Sequence, residues 1–333
     1  MKILITAPGF EDISRILEDI ADVELTYSKM GRLYTEEELT EALDGYDAVI
    51  VWIDPLKEKG IEAHKNHLKA IGVPRAGYDN VDIESASKYK IPIIYASGAN
   101  AEAVTDFVIA SIYNLARNIS KTNFLLRTNQ WKERWAWSIG FGLRGRTLGI
   151  IGLGNIGCRV ALQASSLELK ILGYDHHATD DTITPLGMFP KEMSIELTDL
   201  ETLLTKSDYV SVHVPLTKDT NGMIGYNQFN KMKKNAFLIN TSRGGIVDEG
   251  ALYDAVKNKK IAGAAIDVFE KEPPDMDNPI FKLDNIVATP HIAWCTEDSI
   301  KRVNTIIAKE VRRILEGKKP NLRYIANPYV FDK

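Results

Sequence analysis

The glycines Gly152, Gly154 and Gly157 form a G-x-G-x-x-G motif, which follows an apolar run and opens a segment with helical spacing. The first glycine allows a tight turn, the second lets main-chain N–H groups approach a pyrophosphate, and the third lets a helix pack closely on a strand. The amino end of that helix would face the phosphates, where its N–H groups and its dipole favour negative charge. The motif and its flanks therefore predict a dinucleotide-binding loop.

Asp175 adds a second part to this pattern, because it ends the next predicted strand, 18 residues after Gly157. A carboxylate about 20 residues after the glycines can accept both hydroxyls of the adenosine ribose. It would also repel a 2′-phosphate, so the sequence favours NAD over NADP. His176 and His177 follow directly and leave two interpretations open: an exposed pair at a strand end, or partial tolerance of NADP through a protonated imidazole.

Strands and helices that alternate along the chain must position these residues. Apolar runs predict strands at 2–6, 23–27, 48–52, 68–73 and 91–95, and again at 147–151, 170–174, 209–214, 236–240, 263–267 and 286–289. This alternation indicates βαβ units, so we expect an α/β protein of two lobes, each with a parallel sheet flanked by helices. A helical pattern without Gly or Pro from 101 to about 128 predicts one long helix, and 299–315 predicts a last one.

Length and composition limit the classes of function. A chain of 333 residues suggests two domains, at about 150 residues each. Its composition, 44% hydrophobic and 26% charged, is typical of a globular protein. With 41 basic and 45 acidic side chains the net charge is −4, which argues against a nucleic-acid partner. The sequence holds no apolar run of about 18 residues, so we expect no membrane span.

The cysteines and the amino terminus bear on metal binding and location. Cys158 and Cys295 are far apart and match neither a disulfide framework nor a zinc-site spacing, so we expect no metal. The first apolar run is too short for a signal peptide. We therefore expect a cytoplasmic protein.

Two longer motifs carry a resemblance to a known family. The first is L-I-N-T-S-R-G-G-I-V-D at 238–248, and the second is A-I-D-V-F-E-K-E-P at 265–273, followed by T-P-H-I-A-W at 289–294. In this order they resemble the D-isomer-specific 2-hydroxyacid dehydrogenases, which include glyoxylate and hydroxypyruvate reductases, D-glycerate dehydrogenases and D-3-phosphoglycerate dehydrogenases. The resemblance covers essentially the full length. It implies a Rossmann-type dinucleotide-binding domain at 101–294, inserted into a flavodoxin-like substrate-binding domain made of 1–100 and 295–333.

The resemblance implies a catalytic triad of Arg243, Glu272 and His291. These residue types suit the reduction of a 2-keto acid, which needs a hydride at C2 and a proton on the carbonyl oxygen. A protonated imidazole can donate that proton near neutral pH, and a neighbouring carboxylate favours the charged form and fixes the ring. A guanidinium can bind the substrate carboxylate and help to polarise the carbonyl group. Spacing alone does not show that Glu272 and His291 touch.

Further positions carry over from the family motifs one by one. The residues that the resemblance assigns to the cofactor are Gly152, Gly154, Asn155, Ile156, Gly157, Asp175, Val214, Pro215, Thr220, Thr241, Ser242, Arg243, Asp267, His291 and Trp294. Those that it assigns to the substrate are Arg75, Ala76, Gly77, Asn100, Arg243 and His291. Trp294 allows two interpretations, since its ring could narrow the pocket against large side chains or serve only packing.

The resemblance implies an NAD-dependent D-2-hydroxyacid dehydrogenase, which we expect to reduce a small 2-keto acid such as hydroxypyruvate or glyoxylate. Arg75 departs from the family pattern, in which a small residue is common. Its side chain either turns outward or provides a second cation for a dianionic substrate such as 3-phosphohydroxypyruvate. A different class of function also stays open, because transcriptional corepressors that resemble this family act as NADH-sensing scaffolds. Homodimers are usual in the family, so we expect a homodimer.

Overall fold

The computed structural model describes residues 1–11, 13–26, 32–133, 135, 139–177 and 195–332. The strands are β1 (Lys2–Ile5), β2 (Asp22–Leu25), β3 (Ala48–Ile50), β4 (Ala70–Val73), β5 (Ile93–Tyr95), β6 (Thr147–Ile151), β7 (Lys170–Tyr174), β8 (Glu196–Leu197), β9 (Tyr209–Val212), β10 (Phe237–Asn240), β11 (Gly263–Ile266) and β12 (Ile286–Ala288). The helices are α1 (Glu36–Ala42), α2 (Glu58–His64), α3 (Ile83–Lys88), α4 (Ala101–Arg117), α5 (Ile119–Arg127), α6 (Asn155–Ser166), α7 (Leu200–Lys206), α8 (Tyr226–Lys231), α9 (Glu249–Lys257) and α10 (Glu297–Leu315).

The chain divides into two compact units, residues 1–100 with 295–333 and residues 101–294. Each unit is built on a parallel sheet, which confirms the predicted fold class. The predicted second strand, 23–27, includes Tyr27, which lies outside the described residues.

The sheet of the first unit has the order β2-β1-β3-β4-β5, the flavodoxin-like order that the resemblance implied. Successive side chains of β1 point to opposite faces. Ile3 and Ile5 join an apolar cluster with residues of α10, whereas Leu4 joins a second cluster with residues of α1. Helix α10 packs on β4, where Gly72 gives it room, because a Cβ there would lie 2.7 Å from Ile307 Cγ2.

The sheet of the second unit has the order β12-β11-β10-β9-β6-β7-β8, and all of its strand pairs are parallel. From β6 the chain runs outward to β7 and β8 and then returns to β9 on the other side. The strand order therefore reverses between β6 and β9, and ligands of open α/β sheets bind outside the carboxyl ends at such a point. Register aligns Asn240 with Ile266, and Ile266 with Ala288. The residues that follow β10, β11 and β12 consequently share one edge of the sheet.

The prediction of one continuous helix over 101–128 was wrong. The structure has two helices there, α4 and α5, with Asn118 between them in the left-handed conformation at a φ of 52°. Asparagine is one of the few residues other than glycine that adopt this conformation readily. The prediction failed because this segment contains neither glycine nor proline, the residues that usually mark the end of a helix in a sequence.

The described residues show neither a membrane span nor a metal site. None of the described helices combines the length and the apolar character needed to cross a membrane. Within the same residues, no group of three or more His, Cys, Asp or Glu side chains is arranged to hold a metal ion.

Candidate active site

The glycine motif forms the turn between β6 and α6 in the second unit. Gly152 has a φ of +95°, and a Cβ there would lie 2.8 Å from the carbonyl carbon of His213. At Gly157 a Cβ would lie 2.0 Å from the carbonyl oxygen of Gly152. Gly154 is the N-cap of α6, and a Cβ there would meet no atom within 4 Å. The turn thus requires glycine at two positions, and the third leaves open space beside the amino end of a helix.

Asp175 follows β7 and is held against this turn. Its Oδ2 accepts a hydrogen bond from the main-chain N–H of Leu153 at 2.8 Å, and its Oδ1 accepts one from His177 at 2.8 Å. A carboxylate has about four acceptor positions, so capacity remains for ribose hydroxyls. The His176 ring lies against its neighbour Tyr174, with 2.8 Å between Nε2 and the Tyr174 hydroxyl.

The segment after β9 borders the glycine turn. The Thr220 hydroxyl donates to the carbonyl oxygen of Pro215 at 2.6 Å and accepts from the Thr217 N–H at 2.8 Å, so it holds this loop together. Sequence reasoning assigned no role to His213, whose main chain touches Gly152. Its Nε2 lies 2.8 Å from the Ser211 hydroxyl, and burial lowers its pKa to about 3. His213 is therefore neutral at physiological pH and brings no charge to the turn.

The loop after β10 carries Arg243 and is fixed by a buried amide. Asn240 donates through Nδ2 to the Arg243 carbonyl at 3.0 Å and accepts the Ser242 N–H at 3.1 Å. The Ser242 hydroxyl donates to the Val212 carbonyl at 2.7 Å, which ties the loop to β9. A Cβ on Gly244 would lie 1.9 Å from the carbonyl carbon of Phe269. The loop that bears Arg243 is thus locked on both sides.

Asp267 follows β11 and organises the segment that carries His291. Its side chain is 1% exposed. Oδ1 accepts from the Thr289 hydroxyl at 2.6 Å and from the Ile292 N–H at 2.9 Å, while Oδ2 accepts from the Ala293 N–H at 2.8 Å. His291 lies inside this clamp with a φ of 56°. Asp267 therefore holds a strained backbone conformation at His291.

The structure brings Glu272 and His291 together. The distance between His291 Nδ1 and Glu272 Oε2 is 2.7 Å, and Glu272 Oε1 accepts the Phe269 N–H at 3.1 Å. Burial raises the pKa of Glu272, but the hydrogen bond and charge of His291, the Phe269 N–H and the charge of Arg243 together lower it below its ordinary 4.5. Glu272 therefore contacts His291 and lies within electrostatic reach of Arg243.

Two further contacts fix this pair. The Trp294 indole N–H donates to the carbonyl oxygen of His291 at 3.1 Å. The side chains of Glu249 and Glu270 each accept the main-chain N–H of the other residue. The Glu270 N–H donates to Glu249 Oε1 at 2.6 Å, and the Glu249 N–H donates to Glu270 Oε1 at 3.0 Å. This exchange anchors the segment just before Glu272 to the start of α9. This exchange left no signal in the sequence, because two glutamates 21 residues apart look like ordinary surface charges.

The residues that the resemblance assigned to the substrate, other than Arg243 and His291, belong to the first unit. Arg75 follows β4, and its main chain is fixed by bonds from its N–H to Val73 at 2.7 Å and from the Ala96 N–H at 2.8 Å. Ala76 and Gly77 come next in the same loop and are partly exposed. The Oδ1 atom of Asn100 is buried without a hydrogen-bond partner among the described residues.

The arrangement at the carboxyl edge of the second sheet fits a dinucleotide. The open amino end of α6 beside Gly154 can receive phosphates. The Thr241 hydroxyl is buried and, among the described residues, has no hydrogen-bond partner. An unsatisfied buried polar atom is costly, so a ligand group that bonds to Thr241 would be favoured. Asp175, at the end of the next strand, is placed to accept a ribose.

Comparison with known proteins identifies the family. Residues 109–293 match the model of the D-isomer specific 2-hydroxyacid dehydrogenase NAD binding domain. The chain is 38% identical over 319 residues to the glyoxylate reductase of Thermofilum pendens, covering 95% of this chain and 91% of that protein. The protein belongs to the D-isomer specific 2-hydroxyacid dehydrogenase family, as the sequence motifs implied, and it carries the family's NAD-binding domain.

Similar members of this family have names that refer to different substrates. The chain is 39% identical over 319 residues to the D-3-phosphoglycerate dehydrogenase of Archaeoglobus fulgidus. The match covers 95% of this chain but only 58% of that longer relative. The solved D-lactate dehydrogenase of Aquifex aeolicus, complexed with NAD and lactic acid, has a TM-score of 0.80 and 28% identity, covering 95% of this chain and 96% of that one. Family membership therefore leaves the substrate open.

Proposed function

We propose that the protein is an NAD-dependent D-2-hydroxyacid dehydrogenase that reduces a small 2-keto acid, hydroxypyruvate or glyoxylate. The 2.7 Å contact between His291 Nδ1 and Glu272 Oε2 carries this proposal, because it orients an imidazole for proton transfer. The name of the glyoxylate reductase relative supports a small substrate.

The roles of the triad follow from its contacts. Bound NADH would supply the hydride. Because Nδ1 of His291 faces Glu272, Nε2 is the nitrogen left to donate a proton to the substrate carbonyl oxygen. Glu272, with its lowered pKa, is ionised at neutral pH and holds the His291 ring through Nδ1. Arg243 is always positively charged, and we assign to it the substrate carboxylate.

A second candidate is a dianionic substrate such as 3-phosphohydroxypyruvate. Arg75 stands directly before Ala76 and Gly77, and the Lys57 ammonium group donates to the Asp79 carbonyl of the same loop at 3.1 Å. Arg75 in this loop and Lys57, which precedes α2 and contacts the loop, are two cations that favour extra negative charge. We rank the small substrate first because Arg75 has interactions of its own. A change in substrate preference when Arg75 is replaced would assign it to the substrate site.

NADH oxidation with a panel of acceptors tests the proposal. The panel is glyoxylate, hydroxypyruvate, 3-phosphohydroxypyruvate, pyruvate and a branched 2-keto acid at one pH, with NADPH as the control cofactor. Preference for glyoxylate or hydroxypyruvate with NADH would support the first candidate. Preference for the phosphorylated acceptor, lost in Arg75→Ala, would support the second. NADH binding without turnover of any acceptor would favour the sensing scaffold.

Assembly and location belong to the same proposal. Ile119, Phe124 and Leu126 of α5, with Trp131 after it, are each more than half exposed, at 53%, 59%, 58% and 61%. Clusters of exposed apolar side chains mark association surfaces, so we propose a homodimer through α5. Loss of the dimer in Leu126→Glu, measured by sedimentation, would support this. We also place the protein in the cytoplasm, where thiols such as the unpaired Cys158 and Cys295 stay reduced.

A further inference from the structure

A cavity of about 660 Å³ lies at the amino edge of the second unit's sheet. Phe237 at the start of β10, Ala262 just before β11 and Ile286 at the start of β12 are part of its wall. The triad and Asp267 follow the opposite, carboxyl ends of these strands or lie in the loops beyond them. A strand of four residues is about 13 Å long, so this cavity is separate from the candidate active site.

The wall of this cavity is strongly basic. Its charged residues, within the described chain, are five lysines and one aspartate: Lys121, Lys234, Lys257, Lys259, Lys282 and Asp284. The aspartate is already engaged, because its Oδ2 lies 3.0 Å from the Lys121 ammonium group. The Lys257 ammonium group lies over the Tyr253 ring, 5.0 Å from its centroid. Lys234, Lys259 and Lys282 are exposed, and among the described residues of the wall no further carboxylate accompanies them. The whole chain has a net charge of −4, so this basic cluster does not follow from the composition.

The inner part of the cavity is apolar. Leu115, Val256 and Ile261 are buried there. The Phe141 ring meets the Phe237 ring edge to face, with 6.3 Å between the centroids. Cavities of about 300–1,000 Å³ that combine apolar walls with a few charged groups are typical of small-molecule sites. The lining thus matches a ligand with a negatively charged group and an apolar body.

We propose that this cavity binds a small molecule that carries a phosphate group on an apolar or aromatic body, at a site distinct from those of the dinucleotide and the 2-keto acid. Lysine binds phosphate as a point charge and needs no fixed geometry, which suits exposed side chains around an opening. The body of the ligand lies against Phe141 and Phe237, where burial of apolar surface adds affinity.

Calorimetric titration with 1-naphthyl phosphate tests this proposal. The protein is first saturated with NADH and oxamate, so that the candidate active site is filled and cannot take up the probe. We expect one binding event per chain, tighter than that of inorganic phosphate, because only the naphthyl compound has a ring for the apolar part. We also expect the affinity to fall as salt is raised, since exposed charge contacts are screened.

Paired charge variants identify the site. Lys257→Gln with Lys282→Gln removes two wall cations, and we expect the dissociation constant for 1-naphthyl phosphate to rise about tenfold. The matched control, Lys170→Gln with Lys206→Gln, removes two exposed lysines elsewhere in the same unit and should leave the constant within about twofold.

Three results would overturn the proposal. The first is a titration without saturable heat, and the second is equal binding by the two double variants. The third is a change in sedimentation mass caused only by Lys257→Gln with Lys282→Gln, since this would show that a second copy of the chain covers the cavity. The same titrations are repeated without NADH and oxamate. The comparison of the two double variants reports on the cavity whether or not the candidate active site is filled, so failure here is distinguishable from failure of the proposed dehydrogenase activity.

Discussion

Replacing Asp267 with asparagine removes one acceptor from the segment that carries His291. The carboxylate accepts three hydrogen bonds, two at Oδ1 and one at Oδ2 from the Ala293 N–H. An amide that keeps its oxygen at the Oδ1 position turns its NH₂ group toward Ala293, whose buried N–H then has no partner. Such an unsatisfied donor costs about 1–3 kcal/mol. For a domain of about 150–250 residues, 1 kcal/mol corresponds to about 2–4 °C in Tm, so we expect Tm to fall by about 2–12 °C.

The same substitution should slow turnover more than it weakens cofactor binding. His291 keeps its left-handed backbone conformation inside the Asp267 clamp, and a displacement of about 1 Å at a reacting group can lower a rate about 100-fold. We expect kcat for hydroxypyruvate to fall at least about tenfold.

Calorimetry of the free protein, steady-state kinetics and NADH fluorescence titration measure the three quantities. Asp277→Asn is the matched control, because Asp277 is exposed in the same unit. An unchanged Tm together with a large rise in the NADH dissociation constant would refute the clamp, since Asp267 would then act by contacting the cofactor.

Three further predictions concern the cofactor turn and the pair. Asp175→Asn removes a negative charge near the ribose position, so we expect the ratio of kcat/KM for NADPH to that for NADH to rise about tenfold, equivalent to about 1.4 kcal/mol; an unchanged ratio would contradict the role of Asp175. Gly157→Ala places a Cβ 2.0 Å from the Gly152 carbonyl oxygen, so we expect Tm to fall by several degrees and NADH binding to weaken about tenfold. Gly142→Ala is the control, because Gly142 has open space around it, and it should match the wild type in both assays. The folded-state pKa of Glu272 lies below its ordinary 4.5, so the stability that its ionised form contributes is present above pH 4.5 and is lost as the pH falls through the lowered value. The Tm difference between wild type and Glu272→Gln should therefore shrink from pH 6 to pH 3, and a difference that grows toward acid pH would show that the sign is wrong.

The strands were predictable because each is a short apolar run bounded by turn residues. All six strands predicted between 147 and 289 are present within one or two residues. Strand β8 was not predicted. It has only two residues, Glu196 and Leu197, and so leaves no periodic signal. The cofactor turn was equally predictable, since the three glycines stand together in the sequence between an apolar run and a helical pattern. The close approach of Gly157 to Gly152 is local, whereas that of Gly152 to His213 joins distant parts of the chain.

The clamp around His291 was not predictable from local pattern. Asp267 and the 289–293 segment come together because β11 and β12 pair in parallel register, and register depends on the whole sheet. The family resemblance gave Asp267 a cofactor role, whereas in the structure both of its oxygens bind the His291 segment. Contact between Glu272 and His291 likewise required the three-dimensional structure, because 19 residues and a strand separate them.

Turnover by His291→Gln, compared with that of the wild type with hydroxypyruvate and NADH, tests the assignment of the proton donor. General acid catalysis contributes about 10²–10⁴-fold to such rates. We predict that the variant loses at least about 100-fold in kcat while its NADH dissociation constant and its Tm stay close to those of the wild type. A His291→Gln variant that keeps wild-type kcat would contradict the assignment of His291 as the proton donor.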